Sequence, residues 1–96
     1  MFKNVPLALV PKELYEFVLP AVKQDPFPVV PAAFLIAQAN LKGMRNGGAE
    51  VSEKHPNYIV NTHKATAQDV VALISCVKKH ILEKFGITLE EEVTIL

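Results

Sequence analysis

The sequence predicts an α+β domain in which a small, mostly antiparallel sheet packs with helices. Residues 66–85 carry apolar side chains at helical spacing, which predicts one long amphipathic helix. Residues 47–61 carry two short apolar runs on either side of a polar loop, which predicts a β-hairpin. Ninety-six residues, half of them hydrophobic, are enough for one small core, so residues 1–96 are expected to form a single domain.

The N-terminal third is rich in proline and predicts little regular structure. An entry strand is expected at residues 2–4. Pro11 can begin a helix, because a proline in the first turn has no hydrogen bond to lose, and Pro20 is expected to kink or break it after Leu19. The stretch DPFPVVP at 25–31 contains too many prolines for a helix or a strand and predicts a stiff, extended connector.

Pro31 begins a second predicted helix with Phe34 and Leu35 on its core face, and Gly43 is its expected end. The hairpin at 47–61 follows, with GGAEV as its first strand, SEKHPN as its loop and NYIVN as its second strand.

Thr66 begins the longest helix, with Asp69 three positions later as an approximate capping box. Gly86 ends the helix, and the EEVTIL sequence predicts a final strand. The helix has one continuous apolar stripe, formed by Val70, Leu73, Ile74, Val77, Ile81 and Phe85. Such a stripe predicts that the helix packs along its whole length against the rest of the domain.

Charge and composition exclude several classes of function. Ten basic and ten acidic residues give a net charge of zero, whereas nucleic-acid binding requires a basic surplus or stripe. No apolar run approaches the roughly 20 residues that cross a bilayer, and the N-terminus does not resemble a signal peptide. A single cysteine, Cys76, is typical of a reducing compartment, so a cytoplasmic domain without nucleic-acid or membrane partners is expected.

A metal site is considered and not expected. Three histidines, His55, His63 and His80, accompany Cys76, and two of these four groups lie four positions apart on the long helix. The paired short-range ligands of a zinc site are missing, so a buried cysteine and a solvated histidine are the simpler interpretation. The glycine pair at 47–48 also lacks the flanking pattern of a phosphate-binding loop.

Several ordered motifs resemble one enzyme family. The chain shows FKN at 2–4, LIAQANLKG at 35–43, GGAEVSEKHPNYIVN at 47–61, ATAQDV at 65–70 and KFGITLEEEV at 84–93. In this order they resemble the C-terminal domain of the UDP-N-acetylenolpyruvoylglucosamine reductases, in the shorter, type II form with S-x-K-H. Residues from about 5 to 30 fall outside the match.

The resemblance implies a flavoenzyme of peptidoglycan precursor synthesis. In that family NADPH reduces FAD, and the flavin reduces UDP-N-acetylglucosamine enolpyruvate to UDP-N-acetylmuramate. The C-terminal domain closes over the substrate, while two preceding domains hold most of the FAD. A single domain of this kind, without its FAD-binding domains, is expected to bind neither FAD nor NADPH and to be inactive alone.

Carried over position by position, the resemblance implies one catalytic residue and four substrate-binding residues. Glu92 matches the family's catalytic glutamate, which stabilises or protonates the intermediate. Asn4 matches the diphosphate contact, and Lys42 matches a lysine for the nucleotide-diphosphate portion. His55 matches the hairpin position that contacts substrate, and Lys3 is a weaker expectation for the same pocket.

The chain also departs from the family pattern. The family's catalytic serine belongs immediately before Met1, so the chain is expected to be a fragment of a longer reading frame. Glu91 stands where proline is common, beside the expected catalytic glutamate. A free-standing nucleotide-sugar-binding or regulatory module without catalysis is the alternative, and a small oligomerising protein built on the long helix ranks below it.

Overall fold

A computed structural model describes residues 2–24, 28–62 and 64–91. Within them the chain forms α-helices, short 3-10 turns and short strands. The helices are α1 (Tyr15–Val18), α2 (Ala32–Gln38) and α3 (Ala67–Phe85). The strands are β1 (Val5–Pro6), β2 (Val29–Val30), β3 (Arg45–Asn46), β4 (Ala49–Val51) and β5 (Ile59–Asn61).

The strands form two small antiparallel sheets. Val5 of β1 lies opposite Val30 of β2. In the second sheet β4 lies between β3 and β5, and α3 packs against both β3 and β4 as well as against α2. The predicted α+β class and the predicted hairpin are therefore confirmed. Strand β3 was not predicted, and it pairs with β4 through the tight turn at residues 47–48.

Helix α3 begins and ends as its sequence predicts. Thr66 Oγ1 accepts a hydrogen bond from the Asp69 N–H (3.0 Å), and the Thr66 N–H donates to Asp69 Oδ2 (3.1 Å), so the capping box is complete. Gly86 ends the helix in the left-handed conformation at φ 70°. The buried side chains recur every four residues, and they are Leu73, Val77, Ile81 and Phe85. They form the central part of the core, which α2 completes from the other side with Leu35 and Ile36.

Helix α2 is shorter than expected, because it ends at Gln38 rather than at Gly43. Asn40 adopts the left-handed conformation at φ 60°. Its N–H donates to the Ala37 carbonyl (3.1 Å), and the Leu41 N–H donates to the Ile36 carbonyl (3.2 Å). These two bonds make a Schellman motif, in which asparagine takes the place that glycine usually occupies.

The proline-rich connector differs from its prediction, because part of it is a strand. Val29 exchanges two backbone hydrogen bonds with Lys23, each 2.9 Å long, and pairs with β1 on its other side. The strand can form between the flanking prolines because both of its residues are valines, which keep the backbone N–H that proline lacks. Pro20 acts as predicted, since α1 ends at Val18 and a 3-10 turn follows.

The predicted entry strand at residues 2–4 is reduced to one bridge. Phe2 pairs with Glu91 in an antiparallel bridge, and the Lys3 N–H donates to the Glu90 carbonyl (2.8 Å). The segment that follows α3 therefore runs beside the N-terminus. Most of the predicted final strand, residues 92–96, lies outside the described residues.

Candidate functional site

A cavity of about 270 Å³ opens between the N-terminal segment and the segment that follows α3. Its apolar wall consists of Val5, Pro6 and Leu9, and its polar wall consists of Lys3, Asn4, Thr88 and Glu90. Two of the predicted substrate-binding residues, Lys3 and Asn4, thus line one cavity. An apolar wall with a few converging polar groups is the usual form of a small-molecule site.

The polar wall contains one loose ion pair. Lys3 Nζ lies 3.9 Å from Glu90 Oε2, and both side chains are more than half exposed (57% and 74%). Such a pair contributes little to stability, and either partner can turn to a ligand. The neighbouring Glu91 faces the other way and forms a 2.9 Å ion pair with Lys78 of α3. Glu90 and Glu91 therefore point to opposite sides of this segment, as successive residues of an extended chain do.

Asn4 has a structural bond as well as a place in the cavity wall. Its Oδ1 accepts a hydrogen bond from the Ala32 N–H (3.2 Å) at the first turn of α2. This bond fixes the plane of the amide, and the Nδ2 group is the part of the side chain that remains to donate to a ligand.

His55 is exposed in the loop between β4 and β5, and the loop holds its backbone on both sides. The His55 N–H donates to Ser52 Oγ (3.0 Å), and the His55 carbonyl accepts from the Tyr58 N–H (2.8 Å). The Tyr58 ring meets the imidazole edge to face, with ring centroids 6.0 Å apart. The loop therefore presents the imidazole to solvent on a fixed backbone.

Lys42 is exposed in the turn that follows α2. The next residue, Gly43, donates its N–H to the Val51 carbonyl (2.8 Å) at the base of the same loop. Neither Lys42 nor His55 lines the cavity that contains Lys3. The structure thus brings Lys3 and Asn4 together directly, whereas it connects Lys42 and His55 to them only through the hairpin.

Asn57 makes that connection, and sequence reasoning missed it. Its side-chain amide bonds both backbone groups of Phe2, the residue before Lys3. Asparagine after proline is an ordinary turn signal, so the sequence contains no sign of a partner 55 positions away.

The expected catalytic residue, Glu92, lies outside the described residues, so its relation to the cavity stays a prediction. Glu90, two positions earlier, lines the cavity. A carboxylate from the same segment is therefore present beside Lys3 and Asn4.

The glycine pair of the hairpin motif has a structural role at the N-terminus of α3. The Gly48 N–H donates to Asp69 Oδ2 (3.4 Å), and Asn46 Nδ2 donates to the Asp69 carbonyl (3.1 Å). Gly47 has φ 57°, and a Cβ atom at this position would overlap the Asp69 carboxylate. Hydrogen bonds from the Thr66 and Gly48 N–H groups lower the pKa of Asp69 below its usual value of 3.8.

Other functional classes find no support in the part of the chain that the structure describes. No group of three or more His, Cys, Asp and Glu side chains in residues 2–24, 28–62 and 64–91 is arranged to hold a metal ion. Cys76 is exposed rather than buried as expected, and His80 donates from Nδ1 to the Cys76 carbonyl (2.8 Å). No helix in these residues is long and apolar enough to span a membrane.

Comparison with known proteins agrees with the motifs. A family model described as UDP-N-acetylenolpyruvoylglucosamine reductase, C-terminal domain, matches residues 1–96. A UDP-N-acetylenolpyruvoylglucosamine reductase from Fusobacterium nucleatum is 49% identical over 65 residues, which are 68% of this chain and 23% of the relative. One from Syntrophobacter fumaroxidans is 52% identical over 66 residues (69% and 19%), and one from Bacillus cereus is 45% identical over 76 residues (79% and 25%). The matched part of the chain thus corresponds to about a fifth to a quarter of the length of these curated relatives.

Proposed function

The chain belongs to the UDP-N-acetylenolpyruvoylglucosamine reductase family, whose C-terminal domain it matches along its whole length, and from this premise we propose that it is the substrate-binding domain of such a reductase. The reaction is the NADPH- and FAD-dependent reduction of UDP-N-acetylglucosamine enolpyruvate. The observation that carries the proposal is the cavity in which Lys3 and Asn4 stand together, beside a carboxylate from the segment that leads to Glu92.

The cavity of about 270 Å³ is smaller than the pockets that enclose drug-sized ligands, roughly 300–1,000 Å³, so it can hold only part of a nucleotide sugar or of FAD. The glycine-rich pattern of a phosphate-binding loop for a dinucleotide is also missing from the described residues. The glycine pair at 47–48 is occupied by the Asp69 carboxylate and is not open to a phosphate. We therefore assign FAD and NADPH to domains other than this one, and the chemistry assigned to this chain is binding, orientation and charge stabilisation.

The charges suit a nucleotide sugar. Lys3 and Lys42 are exposed ammonium groups that can each meet a diphosphate as a point charge, and the Asn4 amide can donate to a phosphate oxygen. His55, on its fixed loop, can donate to the same portion of the substrate. The apolar wall formed by Val5, Pro6 and Leu9 can cover the substrate's less polar parts and exclude water.

Glu92 is proposed as the acid at the reacting carbon. Reduction of a double bond conjugated to a carboxylate builds negative charge on that system, and a positioned acid stabilises this charge or supplies the proton. A reducing compartment such as the cytoplasm suits the proposal, because Cys76 is free and exposed.

A chimeric enzyme tests the proposal. In the Fusobacterium nucleatum reductase, the segment that matches this chain is replaced by the chain itself. We expect NADPH to reduce the flavin of the chimera with or without the second substrate, and repeated, catalytic oxidation of NADPH under anaerobic conditions only when UDP-N-acetylglucosamine enolpyruvate is present to reoxidise the flavin. A chimera whose flavin is reduced by NADPH but is never reoxidised by the substrate would contradict the proposal.

A pair of variants in the chimera tests the assignment of the acid. Glu92→Gln is expected to leave reduction of the flavin by NADPH unchanged and to slow its reoxidation by substrate by about 10²–10⁴-fold, the usual contribution of a general acid. Glu90→Gln is the matched control and is expected to slow reoxidation far less. If the chain binds the substrate but every chimera is inactive, the alternative of a binding module without catalysis is favoured.

A further inference from the structure

Asn57 joins the two parts of the proposed site. Its Oδ1 accepts a hydrogen bond from the Phe2 N–H (2.9 Å), and its Nδ2 donates to the Phe2 carbonyl (3.1 Å). One side-chain amide thus satisfies both backbone groups of a residue 55 positions away, as a neighbouring strand would do. Neither bond stays within the turn that contains Asn57, so the side chain does not simply stabilise its own turn.

Residues 2–3 lie between the segment that follows α3 on one side and Asn57 on the other. Phe2 pairs with Glu91 without using its own N–H and carbonyl, because the bond on that side runs from the Lys3 N–H to the Glu90 carbonyl. The Phe2 N–H and carbonyl therefore point to the other side, where Asn57 meets them. The Phe2 side chain is buried (2% exposed), which anchors the segment in the core.

Both ends of this connection are close to proposed substrate-binding residues. Phe2 directly precedes Lys3 and Asn4 in the cavity wall. Asn57 follows His55 by two positions in a loop whose ends meet through the bond from the Ser52 N–H to the Tyr58 carbonyl (2.9 Å). A movement of Asn57 relative to Phe2 would therefore move His55 relative to Lys3.

We propose that Asn57 is a positioning residue that holds the His55 loop against the Lys3–Asn4 segment, so that both parts contact the same substrate molecule. The inference rests on the proposed function only for the identity of that substrate. In this role Asn57 acts through its two bonds to Phe2 and not through a contact with the substrate.

Amide hydrogen exchange of the 96-residue chain tests the connection without any ligand. Asn57→Ala is expected to speed exchange at the Phe2 amide by about tenfold, which corresponds to the loss of one ordinary hydrogen bond. Asn57→Asp keeps the acceptor for the Phe2 N–H and loses the donor to its carbonyl, so a smaller increase is expected. Asn61→Ala is the matched control, because Asn61 Oδ1 accepts from the Ala65 N–H at the far end of β5. Unchanged exchange at Phe2 in Asn57→Ala would overturn the proposal.

Calorimetric titration with UDP-N-acetylglucosamine enolpyruvate tests the positioning role. Asn57→Ala and His55→Ala are each expected to weaken binding about tenfold, and the double variant is expected to be little weaker than either single one. Independent, multiplicative losses would show that Asn57 does not act through His55 and would overturn the proposal. If neither the unmodified chain nor the chimera binds the substrate, the proposed function fails, and the exchange experiment alone decides whether Asn57 holds the loop.

Discussion

The polar residues near the two ends of the hairpin differ in their surroundings: those at one end are hydrogen-bonded within the protein, and those at the other end are exposed to solvent. At the N-terminus of α3, Asn46, Gly48 and Asp69 are bonded to one another's backbone or side chains. At the other end of the hairpin, His55 is exposed, and Lys42 is exposed at its base. We call the first region the helix junction (residues 46–48, 66 and 69) and the second the ligand face (residues 3, 4, 42 and 55).

The difference separates structural motif residues from binding residues. A buried or bonded polar group whose partner is removed costs stability, whereas an exposed charge contributes almost nothing to it. Changes at the helix junction should therefore lower the free energy of unfolding. Changes at the exposed charged or titratable side chains of the ligand face, Lys3, Lys42 and His55, should leave stability intact and lower affinity for a nucleotide sugar.

The largest effect is expected for Gly47→Ala. The new Cβ would overlap the Asp69 carboxylate, and φ 57° adds left-handed strain for any residue with a side chain. We expect the free energy of unfolding to fall by about 3 kcal/mol, of which left-handed strain accounts for about 1–2 kcal/mol. Urea unfolding followed by circular dichroism measures it.

Gly86→Ala is the matched control for this change. Gly86 has a similar φ of 70°, but its Cβ would meet only Pro11 Cγ, at an ordinary 3.7 Å. Only the left-handed strain applies, so a loss of about 1 kcal/mol is expected. Equal losses in the two variants would show that the Asp69 carboxylate does not require glycine at position 47.

Thr66→Ala removes one half of the capping box. The Asp69 N–H loses its acceptor, and the expected loss is about 1 kcal/mol of unfolding free energy. Thr66→Ser keeps the hydroxyl and should retain most of the stability. A serine variant as unstable as the alanine variant would assign the effect to the methyl group instead of the cap.

The Asp69 carboxylate should make stability depend on pH. Its pKa in the folded chain is lowered from the usual value of 3.8, chiefly by the Thr66 N–H and then by the Gly48 N–H, and the unfolded chain keeps that usual value. A lowered folded pKa adds stability that is fully present above the unfolded value and is lost as the pH falls through the folded value. Asp69→Asn should thus be less stable than the unmodified chain at pH 7, and this gap should narrow below about pH 4. If the difference in unfolding free energy between the two proteins stays constant from pH 7 to pH 3, the Asp69 carboxylate is not the source of the pH dependence.

The smallest effects on stability are expected at the ligand face. Lys42→Ala and His55→Ala should each change the free energy of unfolding by less than about 0.5 kcal/mol, since both side chains are exposed. Lys3→Ala breaks only the 3.9 Å pair with Glu90, so a similar value is expected. The same three variants should weaken nucleotide-sugar binding. A large loss of stability in any of them would place that residue in the scaffold.

The capping box and the apolar stripe of α3 were the most predictable parts of the fold. Thr66, Asp69 and Gly86 act within a few residues of themselves, and the apolar stripe of α3 repeats without interruption. The predicted end of α2 was wrong, because Asn40 adopts a left-handed conformation that is usually expected of glycine. Strand β2 was also missed, since the pairing of Val29 depends on Lys23 and β1 and not on local propensity.

The candidate site was predictable only through its motifs. Lys3, Asn4 and His55 were named from resemblance, and neither charge nor spacing alone would have selected them. The cavity depends on contacts between the two ends of the chain, as the bond from Lys3 to Glu90 shows. The role of Asn57 was likewise hidden, because its partner is 55 positions away.

The most direct test of the contrast is a nuclear magnetic resonance titration of the isotope-labelled chain with UDP-N-acetylglucosamine enolpyruvate. Saturable shifts are predicted for the amides of the ligand face, at Lys3, Asn4, Lys42 and His55. The amides of Asn46, Gly48 and Asp69 at the helix junction should shift little. Largest shifts at the helix junction, or no saturable shift at the ligand face, would contradict the assignment of this domain as the one that binds the substrate.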